Sequence, residues 1–553
     1  MTDRLAPLVG RSALVTLGLF TCFILDIGGA AHDVYYISAD TLQPVYIIKD
    51  LFKDPRLLAG WTWPDAPYFF PDFLFALLTA PLNVFPRFHV AAAGFLQGFA
   101  IVGTLALLLR RMAGPRGEGI AYLAFALLAL GLAIEAIQDR HLVLANMAGP
   151  LFKIWYHGGA YLLTLILFAV EMPRCQNTLA TLGRWHRRAY IGLVFVAVAA
   201  DKLLMLFALA PLLAVKLWQW AAGEIPRRHL LERIGIYAGP VLLIVLIDTA
   251  IGKRTNLHVN EWNSLADIIR NIADAAAYIL PGLDDSFLWP HGFRFALTVL
   301  PVMAAAGLTV FHIFRRGTLQ PPPWIGHPQG WFLWRAAILA APVNLAVVFF
   351  FGLYDNITGM RYLVASNMAW LPIAVIWLAD PGRVWRLFVD PQPKTGTSAA
   401  MGIGLATLVT IAAMSSQASL RAHTLQPHTA PGHVARCLPR LDIAASRGRR
   451  LILADYWLVR EARADLGRSI LPLQILPDGA PYFWNTNLRR FHSAYIEQQG
   501  GFRQAALVFT KNLEPAALRE RFGAADARTT CEGWPIAIYT NARALHARLM
   551  AAR

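Results

Sequence analysis

The sequence predicts a mainly α protein: a polytopic bundle of 11 to 13 transmembrane helices, followed by a small C-terminal α/β domain. Three observations predict it. The 553 residues have a mean hydropathy of +0.46 and only 15% are charged, whereas about a quarter of the residues in a soluble protein are charged. Continuous apolar runs recur at the length of roughly 20 residues that a helix needs to cross a bilayer. After Leu420 the pattern changes to a polar chain with short apolar runs.

The predicted spans are separated by short loops rich in Lys and Arg. Basic loops of membrane proteins lie in the cytoplasm, so the N-terminus is expected inside and the C-terminus outside. The apolar stretch at residues 68–85 would begin and end outside; it is either a re-entrant or interfacial element or a further span. The predicted spans cover residues 13–31, 90–109, 118–136, 153–172, 189–201, 203–220, 235–251, 293–313, 333–353, 361–379 and 399–417.

The chain divides into two predicted domains. Residues 1–421 form the transmembrane domain, with a first outer loop at residues 32–67, and residues 422–553 form a soluble extracytoplasmic domain. Cys437 and Cys531 bracket most of the second domain. Because the outer compartment is oxidising, we expect them to form a disulfide; two unpaired thiols are the alternative. The expected location is the inner (plasma) membrane of the cell envelope, with the C-terminal domain in the periplasm.

Composition and motifs exclude several functions. The net charge is +16, but the basic residues cluster between apolar runs, as in membrane proteins, so no nucleic-acid partner is expected. No Walker loop, zinc-spaced Cys/His set, nucleophile elbow or dinucleotide fingerprint occurs in a fitting context.

Carboxylates on the outer side are the first candidate catalytic residues. Asp33 and Asp40 follow the first span, where a carboxylate can act as a general base on an acceptor held at the membrane. Asp40 can equally be a helix N-cap. Asp72 stands at the head of an apolar run, a position where an ionisable group is functional by default.

Cations and further polar groups are expected on the same side. Lys153 and His157 are four residues apart, so on a helix they would share a face. Asp201 and Lys202 lie between two short spans, and Arg361 opens a late span. The Asp201 pair can merely cap a loop and Arg361 can merely snorkel. Together these groups would suit an anionic phosphate met by Lys or Arg, with carboxylates nearby for proton transfer.

The layout resembles the GT-C superfamily of polyprenyl-phosphate-sugar-dependent glycosyltransferases. The resemblance covers nearly the whole chain, although each motif is short. The residues that carry it are Ser38-Ala39-Asp40, Phe70-Pro71-Asp72, Ala200-Asp201-Lys202, Arg361-Tyr362, Ala454-Asp455-Tyr456-Trp457 and Phe483-Trp484-Asn485.

The resemblance implies transfer of a hexosyl or pentosyl group, with inversion, from a polyprenyl phosphate to an extracytoplasmic glycan, lipid or protein. Asp40 would deprotonate the acceptor, and Lys202 and Arg361 would stabilise the departing lipid phosphate, with Tyr362 beside them. Many members carry adjacent acids in the first outer loop, whereas here Thr41 follows Asp40. The choice between Asp40 and Asp33 as base, and the use of a divalent cation such as Mg²⁺ or Mn²⁺, therefore stay open.

Two other functions compete with this interpretation. A transporter or flippase of lipid-linked or polar solutes would have ionisable groups buried at mid-membrane and an internal repeat. A non-catalytic membrane assembly protein for surface polysaccharide would tolerate neutralisation of Asp40.

Overall fold

The computed structural model describes the chain in segments, from the first outer loop to the C-terminal domain. The described residues are 40–63, 67–84, 86–138, 151, 153, 155, 157–172, 184–250, 264–279, 328–350, 449–465, 470–498, 500–510, 512–531 and 533–551.

The first outer loop is largely helical. Helix α1 (Gln43–Lys53) is followed by a 3-10 helix (Pro55–Gly60). Helix α2 (Asp72–Leu78) and a second 3-10 helix (Ala80–Val84) then occupy the stretch that the charge pattern left unplaced. Helices of seven and five residues are too short to cross a bilayer, so this stretch is not a single transmembrane span.

The body of the protein is helical. Helix α3 (Pro86–Gln138) is broken at Gly114, whose positive φ of 67° separates two helical halves. These halves contain the predicted spans 90–109 and 118–136. The remaining helices are α4 (Gly158–Glu171), α5 (Arg184–Ala200), a π-helical turn (Met205–Leu209), α6 (Ala210–Ala221), α7 (Arg227–Ala250), α8 (Leu265–Ile279) and α9 (Pro328–Phe350).

Two segments among the described residues are long and apolar enough to cross a membrane, Phe88–Met112 and Arg227–Ala250. Three shorter apolar helical segments are Gly158–Glu171, Met205–Ala221 and Gly330–Ala340. On α7, the side chains of Leu242 and Leu246 are 62% and 66% exposed. Leucines exposed along an apolar helix suit a surface in contact with lipid. The total of 11 to 13 spans stays a prediction, because the predicted spans 13–31, 293–313, 361–379 and 399–417 lie outside the described residues.

The C-terminal domain is α/β, as predicted. Its strands are β1 (Arg449–Ala454), β2 (Ile470–Gln474), β3 (Phe502–Val508), β4 (Ala527–Cys531) and β5 (Trp534–Tyr539). They form one sheet in the order β2-β1-β3-β5-β4. Strands β2, β1 and β3 are parallel, whereas β5 is antiparallel to both β3 and β4.

Helices cover the sheet on both faces. They are α10 (Tyr456–Asp465), α11 (Ser493–Gln498), α12 (Pro515–Phe522) and α13 (Ala542–Met550). Alternate residues of β1 enter different apolar clusters: Leu451 and Leu453 pack with Phe522 and Leu545, while Ile452 packs with α10. This alternation is the period of a strand with both faces buried. Helix α10 begins directly after the end of β1, and its first residue, Tyr456, contacts the outer loop.

Candidate functional site

The first outer loop and the C-terminal domain meet at a buried carboxylate, Asp50 on α1. Arg490 donates to both of its oxygens at 3.1 Å, Asn487 donates at 3.0 Å and the indole of Trp61 donates at 3.1 Å. The Asp50 and Arg490 side chains are only 10% and 9% exposed. A buried carboxylate needs such a full set of donors to remain charged, so these contacts hold the two parts of the chain in one arrangement.

Backbone bonds strengthen this junction. The Thr62 amide donates to the Thr486 carbonyl at 2.8 Å, and the Thr486 amide donates to the Thr62 hydroxyl at 2.9 Å. Trp61 forms an isolated antiparallel bridge with Asn487. Gly60 lies so close that an added Cβ would be 2.5 Å from the Asn487 amide oxygen. The outer loop therefore pairs with the C-terminal domain through one short, strand-like contact.

Asp40 lies at this junction. Its carboxylate accepts a hydrogen bond from the Tyr456 hydroxyl of α10 at 2.6 Å, and Asp40 is half-buried. Burial, followed by the charge of Asp40, raises the pKa of Tyr456 well above its ordinary value, so the phenol stays protonated as a donor. The N-cap of α1 is Leu42, without a side-chain capping bond. The N-cap alternative for Asp40 is therefore wrong.

An aromatic cluster surrounds the Tyr456 ring. The ring centroids of Trp457, Tyr482 and Trp484 lie 5.2, 6.0 and 5.0 Å from that of Tyr456. Both tail motifs of the GT-C resemblance, at residues 454–457 and 483–485, thus lie beside Asp40. The sequence shows the motifs but not their meeting, because more than 400 residues separate them from the outer loop.

Arg460 lies behind Tyr456 and is 1% exposed. Its guanidinium lies over the rings of Tyr46, Trp61 and Tyr456, at 5.8, 5.5 and 5.6 Å from their centroids. Among the described residues, its three guanidinium nitrogens have no hydrogen-bond partner. Attraction to the ring faces therefore offsets part of the cost of burying this charge.

Asp72 lies deeper and is enclosed by α4 and the residues before it. Its Oδ1 accepts the Trp155 amide at 2.7 Å, and a Cβ added to Gly159 would be 1.9 Å from its Oδ2. Asp72 is 1% exposed. Burial raises its pKa to about 7; the Trp155 amide opposes this shift and the nearby Asp201 charge adds to it.

His157 and Asp201 form a pair next to Asp72. The His157 Nδ1 is 2.7 Å from the Asp201 Oδ2, and the Tyr68 hydroxyl contacts the same imidazole at 3.2 Å. His157 has a positive φ of 70° and caps α4, and Lys153 lies in the non-helical chain before it. The expectation that Lys153 and His157 share a helical face is therefore wrong, because the helix begins only at Gly158.

Asp201 and Lys202, which follow the end of α5, contact different partners. Asp201 accepts the Leu203 amide at 3.0 Å in addition to its contact with His157. Lys202 pairs with Asp248 at the end of α7, at 2.7 Å. Lys153 is 7% exposed, and its carbonyl accepts a bond from Gln97 at 3.0 Å.

One apolar cluster connects the two acidic regions. It contains Leu42 and Tyr46 on the Asp40 side, Tyr68 and Trp155 on the Asp72 side, and Trp61 from the junction. The outer loop, the start of α4 and the C-terminal domain are thus packed into one site.

A charged cluster between helices was missed by the sequence interpretation. Glu171 on α4 pairs with Lys216 on α6 at 3.3 Å and with Arg233 on α7 at 2.7 Å, and all three side chains are fully buried. Lys216 near the end of an apolar run was the available signal, since ionisable residues in such runs tend to pair with one another.

Several predicted site residues lie outside the described residues: Asp33, Arg361, Tyr362 and Cys437. Their roles, and the disulfide to Cys531, stay predictions. Within the described part of the chain, no group of three or more His, Cys, Asp or Glu side chains could hold a metal ion.

Comparisons with known proteins give similar solved structures only. No protein-family model and no curated protein matches the chain. The apo-state crystal structure of ArnT from Cupriavidus metallidurans is similar, with 14% identity and a TM-score of 0.45, over 94% of this chain and 97% of that chain. The Archaeoglobus fulgidus oligosaccharyltransferase, solved as a complex with Zn and sulfate, is similar with 11% identity and a TM-score of 0.35, over 93% and 71%.

TM-scores below 0.5 do not establish a shared fold, so no residue role is transferred from either structure.

Proposed function

We propose that the protein is a membrane glycosyltransferase that moves a sugar, with inversion, from a polyprenyl phosphate to an acceptor on the outer side of the membrane. One observation carries the proposal. The half-buried carboxylate of Asp40 lies where the first outer loop meets the C-terminal domain, 2.6 Å from the Tyr456 hydroxyl and beside exposed aromatic rings. A general base must be within hydrogen-bond reach of the proton it takes, and this carboxylate is open enough for that.

Accessibility separates Asp40 from the other two predicted carboxylates in the described part of the chain. Asp72 and Asp201 are 1% and 2% exposed, and both are engaged by backbone amides. A substrate hydroxyl could not reach them without displacing these contacts. Asp40 is therefore proposed as the base, and Asp72 and Asp201 as positioning residues that fix the start of α4.

The proposed step is a single displacement. The acceptor hydroxyl oxygen bonds to the anomeric carbon while the bond from that carbon to the phosphate oxygen breaks. The electron pair leaves with the lipid phosphate, and the hydroxyl proton moves to Asp40. Attack from the face opposite the leaving group inverts the anomeric carbon, as in inverting glycoside chemistry. A nearby cation would stabilise the phosphate; Lys202, Lys153 and Arg361 are the proposed candidates.

The donor is proposed to be lipid-linked because the body of the protein suits lipid. A prenyl chain can approach from the bilayer only along an apolar surface, and α7 exposes Leu242 and Leu246. The phosphate would then lie at the outer interface, near the loop that carries Asp40. The proposal therefore has the protein in the inner membrane, with the C-terminal domain outside.

A transporter is the second candidate, because the buried Glu171, Lys216 and Arg233 cluster is the feature that transporters use. In this chain both cations pair with the one carboxylate. Such an arrangement can also serve to hold α4, α6 and α7 together, without any role in transport. The two functions differ in their product, since only a glycosyltransferase forms a new glycosidic bond to the acceptor, whereas a transporter leaves the lipid-linked sugar chemically unchanged.

The test of the proposed function is transfer from a synthetic polyprenyl-phosphate sugar by purified variants. Asp40→Asn keeps the size and most hydrogen bonding but removes the proton acceptor, so activity should fall by roughly 10²- to 10⁴-fold. Asp478→Asn is the matched control, because Asp478 is exposed and its contacts within the described part of the chain are local, to the Ala480 amide at 2.9 Å and to Arg521 at 3.4 Å. Full activity in Asp40→Asn with an inactive Asp33→Asn would move the base to Asp33. Full activity in both would refute the mechanism.

A further inference from the structure

We propose that Trp457, Tyr482 and Trp484 form a platform on which a sugar ring of a glycan acceptor stacks, with Asp40 at its edge. The inference rests on the proposed function and specifies its acceptor: a glycan, rather than a simple lipid or a bare protein segment. We call these three rings the aromatic platform.

The aromatic platform is exposed where a folded domain normally hides such rings. Trp457 and Trp484 are 46% and 36% exposed. Tyr482 and Trp484 are stacked, with centroids 6.1 Å apart and an interplanar angle of 24°. Apolar area left in water forgoes about 25 cal/mol per Å², so two exposed indoles beside one tyrosine ring are typical of a surface that is covered in function.

The aromatic platform is also rigidly built. The Gln474 side chain donates to the Trp484 carbonyl, and the Asn485 amide donates to the Tyr456 hydroxyl at 3.4 Å. Asn485 has a positive φ of 55°, in the left-handed region that Asn tolerates. On the other side, the Thr62 hydroxyl bonds the Phe483 carbonyl. These contacts fix the backbone on both sides of Trp484 and so restrict where its ring can lie, and preorganisation of this kind favours affinity.

A sugar ring fits this chemistry better than a purely apolar ligand. One face of a pyranose presents axial C–H groups, which pack on an aromatic face, while its rim presents hydroxyls that need donors and acceptors. The rim here holds the Asp40 carboxylate and the Tyr482 hydroxyl. Asp40 is close enough that its charge adds to burial in raising the pKa of Tyr482. A ring stacked on the platform would therefore bring a hydroxyl towards the proposed base.

Aromatic side chains also occur as belts at the membrane surface, and this is the competing role for the platform. Acyl chains over Trp484 would take the neighbouring, half-buried Asp40 carboxylate further out of water. Moving a carboxylate from water into an apolar environment is costly. The arrangement therefore favours a polar, hydroxyl-rich ligand over lipid.

The experiment is saturation-transfer NMR of full-length protein, in detergent and in lipid nanodiscs, with tetra-N-acetylchitotetraose as the probe. We expect saturable binding in both media, with the strongest transfer to the ring C–H protons. Trp484→Ala and Trp457→Ala should each raise the Kd at least tenfold. Trp185→Ala is the matched control, because Trp185 is 79% exposed on α5, apart from the platform; its Kd should be unchanged.

Three results would overturn the proposal: no transfer to the probe, an unchanged Kd in both platform variants, or binding that is lost when detergent is replaced by lipid. Trp484→Tyr keeps an aromatic face and should keep most of the binding, which separates lost stacking from misfolding. The outcome is independent of turnover. Asp40→Asn should still bind the probe; if the probe binds but no sugar is ever transferred, the proposed function fails while the platform stands.

Discussion

Replacing Asp50 by Asn should release the C-terminal domain from the outer loop. Asn keeps an oxygen for the Trp61 indole but leaves the Arg490 guanidinium buried without its counter-charge. Removing one member of a buried ion pair costs about 3 to 5 kcal/mol. Because the two side chains are 10% and 9% exposed, solvent screening reduces this free-energy cost, and we use the lower limit of the range, about 3 kcal/mol. At about 1.4 kcal/mol per factor of ten, the equilibrium for opening the junction should rise roughly 100-fold.

Hydrogen exchange can measure this opening directly. The amides of Thr62 and Thr486 bond across the junction, so their protection should fall roughly 100-fold in Asp50→Asn. The paired amides of β3 and β5 should keep their protection, since the sheet itself is intact. The surface variant Asp478→Asn should change junction protection less than about fivefold, because exposed pairs contribute only about 0 to 1 kcal/mol. A junction protection in Asp50→Asn within threefold of the wild type would refute this reasoning.

Three further predictions concern the described site and the C-terminal domain. Gly159→Ala should destabilise the protein by about 1 to 3 kcal/mol through its clash with Asp72, measured by thermal unfolding in detergent; Gly192→Ala meets nothing within 4 Å and should be neutral or slightly stabilising. The pKa of Asp72 is raised by burial to about 7, above its ordinary value of 3.8. The protonated carboxyl therefore adds to the free energy of unfolding in full below pH 3.8, and this stabilisation is lost as the pH rises to about 7. The melting temperature of the wild type should therefore fall more than that of Asp72→Asn between pH 5 and 8, and equal falls would contradict the buried carboxylic acid. Cys437 and Cys531 should appear as one cross-linked peptide in non-reducing mass mapping, whereas alkylation of both without reductant would disprove the disulfide.

The elements of the fold were largely predictable where apolar patterning is strong. The short apolar runs that the sequence shows after Leu420, at residues 451–454, 470–475, 505–509 and 536–539, overlap β1, β2, β3 and β5. The helical pattern at residues 515–522 coincides with α12. Strand β4 was missed because its sequence Ala-Arg-Thr-Thr-Cys is polar. It lies at the edge of the sheet, where one face is exposed and alternation with apolar residues is not required.

The candidate site was only partly predictable. Carboxylates after the first span and motifs in the tail are visible in the sequence, but the contact of Asp40 with Tyr456 joins residues 416 positions apart. Local pattern carries no information about such a pairing. The prediction that Lys153 and His157 share a helical face was wrong for a different reason. A spacing of four brings two side chains together only on a helix, whereas Trp155 and His157 adopt left-handed backbone and the helix begins only at Gly158.

The junction around Asp50 also determines when, during synthesis, the site around Asp40 can be complete. Its partner Arg490 lies 440 residues later in the chain, and ribosomes add about 5 to 20 residues each second. The outer loop therefore waits about 20 to 90 s after its own synthesis before its docking partner exists. During that interval Asp40 lacks Tyr456 and the aromatic rings beside it. Under the proposed function, a nascent chain still held by the ribosome would have the base but no assembled site, and unfinished copies could not act on lipid-linked sugars.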